Sequence, residues 1–577
     1  MSHRRRAAGA LASLFALSLI AAACGDDNNS EGGTATTAGG GGGSETDGST
    51  TTTGGGEPAG DVAMTITYHL NPDAVWEDGT PIGEADFQCT LDATMNTPGS
   101  LSTTGYDQII DVAEGDSAQD VVVTLSSVYA PYKNLFNPLL KAADVADCND
   151  VSGDYQDSMT ISGRPVMLQD WSPDQATLVP NPAYWDSEDT PEWDQVIMVP
   201  KADSDTEVAS LLSGESEMIF PQAFSGLTDA LNDPNIEFAP GYGTNYEGLY
   251  FQQDHGPFAD DDFRKAFSES INRDEILENI YGPIFPGAEL LNCGVWVPTI
   301  GPWCDQTAFT DTFNPDDAEA TLTAAGWAKG ADGFWAKDGE AAPTIRWVIN
   351  TGNSRRETTQ ALLIPELQAA GFNVVADNCD AACYFQQRLP ALDYDLAMYI
   401  NTAAPDPTVT SILSCEQVPS EANNNQGQNS TGWCNEEATD LMHQSDAELD
   451  EDTRADEIHQ IAALMASDHV MLPLYQFPNI VAYRTDRISG PVTDDAANYR
   501  AFANNLFDWV PTDDNQIVIG AEQWPECLNP ITECANSSWY VWTVAFQVLP
   551  GAYDTTADGN YVPTDLLTGE ADVEVAG

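Results

Sequence analysis

Residues 344–376 constrain the fold most, because they read as a strand, a helix and a second strand with each boundary marked. Residues 344–350 alternate well enough for a strand, and Gly352-Asn353-Ser354 breaks it. A helix then runs to about Ala370, with Leu362, Leu363 and Leu367 on one face and Gly371 as its stop. Ser354 and Glu357 have the spacing of a capping box. Residues 372–376 supply the next strand and complete a βαβ-like unit. Another helix opens at Asn314-Pro315, carries Ala318, Leu322 and Ala325, and ends at Gly326. The texture is α/β with mixed sheets. At 577 residues, the chain can hold two or three domains with sizeable cores, and 42% hydrophobic residues exclude a wholly disordered chain.

Charge narrows the partners. Asp and Glu number 91 against 20 Lys and Arg, a formal net charge of −71. A nucleic-acid backbone needs a basic footprint that this chain lacks, and an anionic membrane surface is excluded as an electrostatic partner on the same ground. The acid reads as a solvated, self-repelling surface suited to a salty exterior.

The first residues read as an export signal, residues 1–23. Arg4, Arg5 and Arg6 precede an apolar stretch over residues 7–23 that ends in small residues. Ala21-Ala22-Ala23-Cys24 resembles a bacterial lipobox, with Cys24 as the lipid attachment site and Ala21 where Leu is usual. Its removal takes three Arg and no acid, leaving a mature charge of −74. Residues 24–60 read as an acylated tether rich in Gly, Ser and Thr, with a reach of roughly 30–36 Å for its 36-residue coil. The expected location is the outer face of the cytoplasmic membrane, held there only through the lipid.

There are 11 cysteines, and Cys24 as lipid site accounts for the odd one. The rest fall into sequence neighbours: Cys89 and Cys148, Cys293 and Cys304, Cys379 and Cys383, Cys415 and Cys434, Cys527 and Cys534. An even remainder in an exported chain reads as disulfides, although sequence alone leaves connectivity open. Zinc is the sharper alternative, but no paired CxxC occurs and the six His are scattered; no metal and no cofactor are expected.

Four motifs in register carry a family resemblance. Trp76-Glu77-Asp78-Gly79-Thr80-Pro81 with Ala85-Asp86 resembles the "W-S-D-G-T-P … A-x-D" signature of the peptide/nickel class of extracellular solute-binding proteins, the receptors of ABC importers. Asn181-Pro182-Ala183-Tyr184-Trp185 resembles "N-P-x-Y-W". Pro257-Phe258-Ala259-Asp260, Arg264-Lys265-Ala266 and Ile271-Asn272-Arg273 resemble "P-F-x-D … V-R-x-A … A-I-D-R". Asn314 through Gly326-Trp327 resembles the family's "D-P-E-K-A … A-G-Y/W" helix. The resemblance implies a periplasmic-binding-protein-like type II fold, with discontinuous lobes around a ligand cleft and a hinge. It implies a small second lobe at 61–185 completed by 545–577, a first lobe at 186–255 completed by 490–544, and a third lobe at 256–489.

One departure is large. The strand, turn and helix with which family members begin resemble residues near the far end here: Gln516-Ile517-Val518-Ile519-Gly520, then Pro525 to Asn529-Pro530, then residues 538–546. A circular permutation is expected, with residues 571–576 and 63–70 as two strands of one hairpin cut at its turn. Such a cut removes few contacts.

No enzyme constellation stands out, and no catalytic residue is assigned. A cleft outside the carboxyl ends of strands has better support. Arg355 and Arg356 follow a strand and open a helix, where two cations oppose the dipole at up to roughly 1 kcal/mol each. Anion binding is one reading and pairing with surface acids the other. The resemblance favours the first, since similar dipeptide-binding proteins hold a peptide carboxylate from an N-x-R-R at this place. Tyr399, Asn401 and Ala403 lie in a segment that resembles the family's "W-x-x-D-x-x-D-P", whose first Asp binds a peptide amine. Ala403 stands at that Asp, which argues against standard capture of a peptide N-terminus. Tyr246, Trp433, Phe477, Ser538 and Trp539 complete the candidate ligand contacts, with core packing the alternative for the aromatics. The expected function is a monomeric receptor that captures a peptide or other small solute by lobe closure and delivers it to an ABC permease. A sensor without transport, or an exported hydrolase on the same scaffold, are the rivals.

Overall fold

The computed structural model describes residues 62–576 apart from 187–188, 224–225, 311, 421–422, 424–426, 501 and 558. The expected signal, lipobox cysteine and tether lie outside the described residues. Along the chain the strands are β1 (Met64–His69), β2 (Ile109–Glu114), β3 (Asp120–Leu125), β4 (Val166–Ser172), β5 (Gln175–Pro180), β6 (Gln195–Pro200), β7 (Met218–Ile219) and β8 (Ile236–Phe251). There follow β9 (Trp327–Lys329), β10 (Trp335–Lys337), β11 (Thr344–Val348), β12 (Asn373–Ala376), β13 (Leu396–Thr402) and β14 (Met471–Arg484). The last are β15 (Ile488–Ser489), β16 (Val510–Pro511), β17 (Gln516–Ala521), β18 (Tyr553–Thr555), β19 (Tyr561–Pro563) and β20 (Asp572–Val575).

The strands form a ten-stranded mixed sheet, β12-β11-β13-β8-β14-β7-β17-β6-β5-β4, and a separate four-stranded sheet, β2-β3-β1-β20. The βαβ unit forms as the sequence marks it: β11 and β12 are parallel, joined by the helix Ser354–Ala370. Its cap is Asn353, whose side chain accepts from the Arg356 amide, with Gly371 left-handed at the far end. The cap therefore falls one residue before the expected Ser354, and Glu357 accepts from the Gly352 amide at 2.9 Å, outside a capping box. The other marked helix is Pro315–Ala324, capped by Asn314. β4 pairs with β5, and β5 with β6, at the edge of the long sheet.

The motifs are internal braces. The Trp76 indole donates to Asp86 at 3.1 Å, and Asp86 also accepts from the amides of Gly83 and Ala142. Asn181 binds the Arg164 carbonyl and the Ala183 amide. Arg264 and Arg273 are buried on carbonyls: Arg264 on Phe258 and Asp468, Arg273 on Leu291 and Pro473. Buried guanidinium groups need such acceptors, because an unsatisfied buried donor costs about 1–3 kcal/mol. These residues shape the fold and leave the ligand chemistry to others.

β8 and β14 pair antiparallel and are the long strands that cross the middle of the sheet. Their register shifts between Pro473 and Tyr475 and again between Gln476 and Pro478. Bulges bend a strand and increase its twist. Gly243 sits in the second shift, where an added Cβ would lie 2.6 Å from the Asn479 amide nitrogen. The ten cysteines form disulfides, as expected, and the connectivity that sequence left open joins neighbours: Cys89–Cys148, Cys293–Cys304, Cys379–Cys383, Cys415–Cys434 and Cys527–Cys534. Among the described residues, no helix is long and apolar enough to cross a membrane.

Candidate functional site

The helix Trp539–Val548 is apolar on every side. Tyr540, Val541, Val544, Ala545 and Val548 are buried, while Trp539, Trp542, Thr543 and Phe546 line a cavity of about 230 Å³. Those four positions follow the i, i+3, i+4, i+7 spacing of one helical face. The bulged strands face them with Asn245 and Asn479, whose side chains hydrogen-bond to each other at 2.8 Å. Asn134 and Asn137, from the loop after β3, form a further wall, and Phe220 and Phe502 stack at 4.3 Å on another.

Arg500 is the only charged side chain on this wall among the described residues. It donates to the Tyr553 carbonyl at 2.8 Å and lies 4.9 Å from the Phe546 ring centroid. Its Nε makes no hydrogen bond among the described residues, nor does the Trp539 Nε1. A cavity with aromatic walls, five asparagines and a guanidinium whose Nε lies 3.8 Å from the Asp554 carboxylate suits a small solute with polar groups such as carbonyls.

A second chamber of about 110 Å³ abuts the same two segments. Tyr399 and Asn401 of β13 form one wall, and Glu533 and Asn536 the opposite one. Tyr399 stacks on Tyr250 at 3.9 Å and sets its hydroxyl 3.3 Å from the Ser430 Oγ. Burial pushes the Glu533 carboxyl up to about 7, partly offset by the amide of Asn536 at 3.3 Å.

The structure redistributes the residues singled out by sequence. Trp539, Tyr399 and Asn401 line the two cavities. Ser538 caps the aromatic helix, accepting from the Tyr540 amide at 3.1 Å. Ala403 is buried, with its amide on the Thr244 carbonyl at 2.9 Å. Tyr246 and Phe477 are core residues, and Trp433 is buried with its indole on Asp468 at 2.9 Å.

Arg355 and Arg356 line neither cavity. Both are fully buried, and both pair with Glu247 of β8, which is itself 0% exposed. Arg355 also donates to Gln222 at 2.6 Å and Tyr475 at 3.0 Å, over the Phe477 ring. The anion that these cations meet is therefore internal, and neither of the two sequence readings named it. A buried carboxylate without counter-charge would be strongly destabilising, which gives both guanidiniums a structural task. Beside them, Gln222 bonds to Glu522, whose carboxyl burial raises to about 7. Burial also raises Glu207, next to it, well above the usual carboxylate range.

Elsewhere, Asp186, Asp189 and Asp565 bring carboxylate oxygens within 4.8 Å of one another. Burial, then a hydrogen bond from Asp565, pushes Asp189 up to about 6. This fits a cluster that holds a proton.

The site residues missed by sequence reading are Arg500, Asn245, Asn479, Trp542 and Phe546. The aromatic spacing 539, 542, 546 was present as a signal; the loop carrying Arg500 has no periodicity to mark it.

Residues 60–418 match the profile described as "Bacterial extracellular solute-binding proteins, family 5 Middle". The chain belongs to this family. Among curated relatives, the dipeptide-binding protein DppE of Bacillus subtilis is 23% identical over 452 residues, covering 74% of this chain and 78% of the relative. The oligopeptide-binding protein OppA of Mycobacterium tuberculosis is 23% identical over 436 residues, covering 73% and 71%. Among solved structures, the oligopeptide-binding protein AppA of Bacillus subtilis, in complex with a nonapeptide, superposes with a TM-score of 0.68 at 19% identity, covering 78% of this chain and 87% of that one. NikZ of Campylobacter jejuni, in complex with Ni(L-His), gives 0.67 at 17% identity, covering 78% and 88%. The fold is that of the type II periplasmic solute-binding proteins, and the chain is an extracellular solute-binding protein.

Proposed function

We propose that the receptor captures a peptide or peptide-like solute between its lobes, in the cavity walled by the helix Trp539–Val548, Arg500 and the bulged strands. The observation that carries this is the convergence of three lobes on one aromatic cavity with a single guanidinium. Relatives named for dipeptide and oligopeptide binding support the solute class. The bulges of β8 and β14 place the hinge under that cavity, so ligand contacts with Asn134 of the small lobe and Arg500 hold the lobes closed. The lobes then present the closed receptor to a permease. Residues 1–23 act as export signal and Cys24 as lipid anchor, with residues 24–60 as tether to a monomeric body.

The circular permutation belongs to the same proposal. It is supported by β20, which pairs antiparallel with β1 from Met64↔Val575 to Thr67↔Asp572, and by the Ala576 amide on the Ala63 carbonyl at 2.8 Å. The two ends of the described chain meet where a hairpin turn would join them. The displaced terminal segment would then supply the aromatic wall.

Native mass spectrometry of protein purified from its own cells tests the binding site. The expected result is a co-purified small solute on the wild type, lost or weakened roughly 10- to 100-fold in Arg500→Ala, the loss of a charge-assisted hydrogen bond. Retention at full affinity by both Arg500→Ala and Trp542→Ala would overturn the placement.

A further inference from the structure

We infer that Glu533 makes the smaller chamber a subsite for a cationic group of the ligand, an ammonium or a guanidinium. The assignment rests on the solute-binding reading and adds a charge preference to it. Among the described residues, Glu533 is the only charged side chain lining this chamber; no ion pair includes it, and its side chain accepts from the Asn536 amide. The facing wall is Tyr399, Leu389 and Ile412, with the Ser430 hydroxyl and Asn536 amide as polar neighbours. A half-buried carboxylate without a counter-ion gains from a cation brought to it, because part of its hydration is already lost. The raised carboxyl of Glu533 fits this: burial holds it near neutrality, and an arriving cation would draw it back down.

The chamber is also held in shape. Glu533 lies inside the Cys527–Cys534 loop, Ser430 inside the Cys415–Cys434 loop, and Leu389 follows the π-helical turn that begins at Cys383, bonded to Cys379. Three of the five disulfides thus brace the segments that wall one small space. Rigid walls lower the ordering cost of binding. The chamber, about 110 Å³, has room for an amine or guanidinium group. β13 contributes no acid here, since Ala403 is buried on Thr244; the charge comes from the opposite lobe.

The test offers the mature protein a tryptic digest of casein, whose peptides carry a free amine and end in Lys or Arg. A second portion of the same digest has its amines acetylated and its arginines blocked. Bound peptides are recovered and quantified by mass spectrometry for wild type and Glu533→Gln. The wild type should retain unblocked peptides at least tenfold over blocked ones, and Glu533→Gln should abolish that preference while retaining blocked peptides like the wild type. Calorimetry of a recovered peptide near pH 7 should show proton release in the wild type, read from heats in buffers of different ionisation enthalpy, and none from Glu533→Gln. Equal retention of blocked and unblocked peptides, or a preference that survives Glu533→Gln, would overturn the assignment and leave the receptor reading standing. Failure of the wild type to retain any peptide would overturn the peptide reading itself, and the assignment with it.

Discussion

Replacing Glu247 by Gln should destabilise the receptor without touching its ligand site. The substitution keeps the side-chain shape but removes the single carboxylate that Arg355 and Arg356 share, in a place where all three side chains are buried. Breaking a buried ion pair by neutralising one partner costs about 3–5 kcal/mol. Unfolding entropy runs at about 2.1 cal/mol/K per residue, so roughly 500 ordered residues give about 1 kcal/mol/K. The expected fall in Tm is therefore about 3–5 °C, and larger if one lobe unfolds alone. Differential scanning calorimetry of ligand-free protein reads it. The triple variant Glu247→Met, Arg355→Met, Arg356→Met should recover most of the loss, because a buried ion cluster replaced by packed apolar groups is often neutral or better. A Tm within about 1 °C of wild type for Glu247→Gln, together with altered ligand affinity, would refute the reasoning and return the arginines to the ligand site.

Other consequences follow from the same geometry. Burial raises Asp446 and Asp189 to about 6 and Glu533 and Glu522 to about 7, so the folded state binds these protons more tightly than the unfolded chain. Stability should therefore fall as pH rises from 5 to 7.5 at constant salt, and a rising Tm would contradict it. Opening Cys89–Cys148, which closes a separation of 59 residues, should cost about 4 kcal/mol on the loop-entropy relation, against about 2 kcal/mol for Cys379–Cys383 at a separation of 4. Paired Cys→Ser variants measured by denaturant unfolding would show the order reversed if the relation fails. Gly243→Val should displace Asn479 and weaken ligand binding at least tenfold, since its Cβ would lie 2.6 Å from that amide; titration at unchanged affinity would exclude a close-packed hinge. A relinked variant, with residue 576 joined to residue 63 by a short turn and new ends opened before β17, should fold with wild-type affinity. Loss of folding would count against the hairpin cut.

The legibility of this chain follows sequence distance. The unit from β11 to β12 was readable because its strand alternation, break, helix face and Gly371 stop all lie within about thirty residues of one another. That ten cysteines form disulfides was readable from their even number; their connectivity was not, because which sulfurs meet depends on the folded chain. The role of Arg355 was not, because its counter-ion Glu247 is more than a hundred residues away on a crossing strand, and helix-end electrostatics report only that some anion is near. Arg500 and Glu533 lie in segments with no periodic signal, and only residues distant in sequence complete the cavities they face. Trp542 and Phe546 carried a helical spacing, but an apolar helix face reads equally as core until its neighbours are known.

The central claim is that solute is held between Arg500 and the aromatic face of the helix Trp539–Val548. A crystal structure of the receptor purified with its native solute measures this most directly. The account predicts ligand density in contact with Trp539, Trp542 and the Arg500 guanidinium, with Arg355 and Arg356 still on Glu247. Density against Arg355 or Arg356, with the aromatic cavity filled only by solvent, would contradict it.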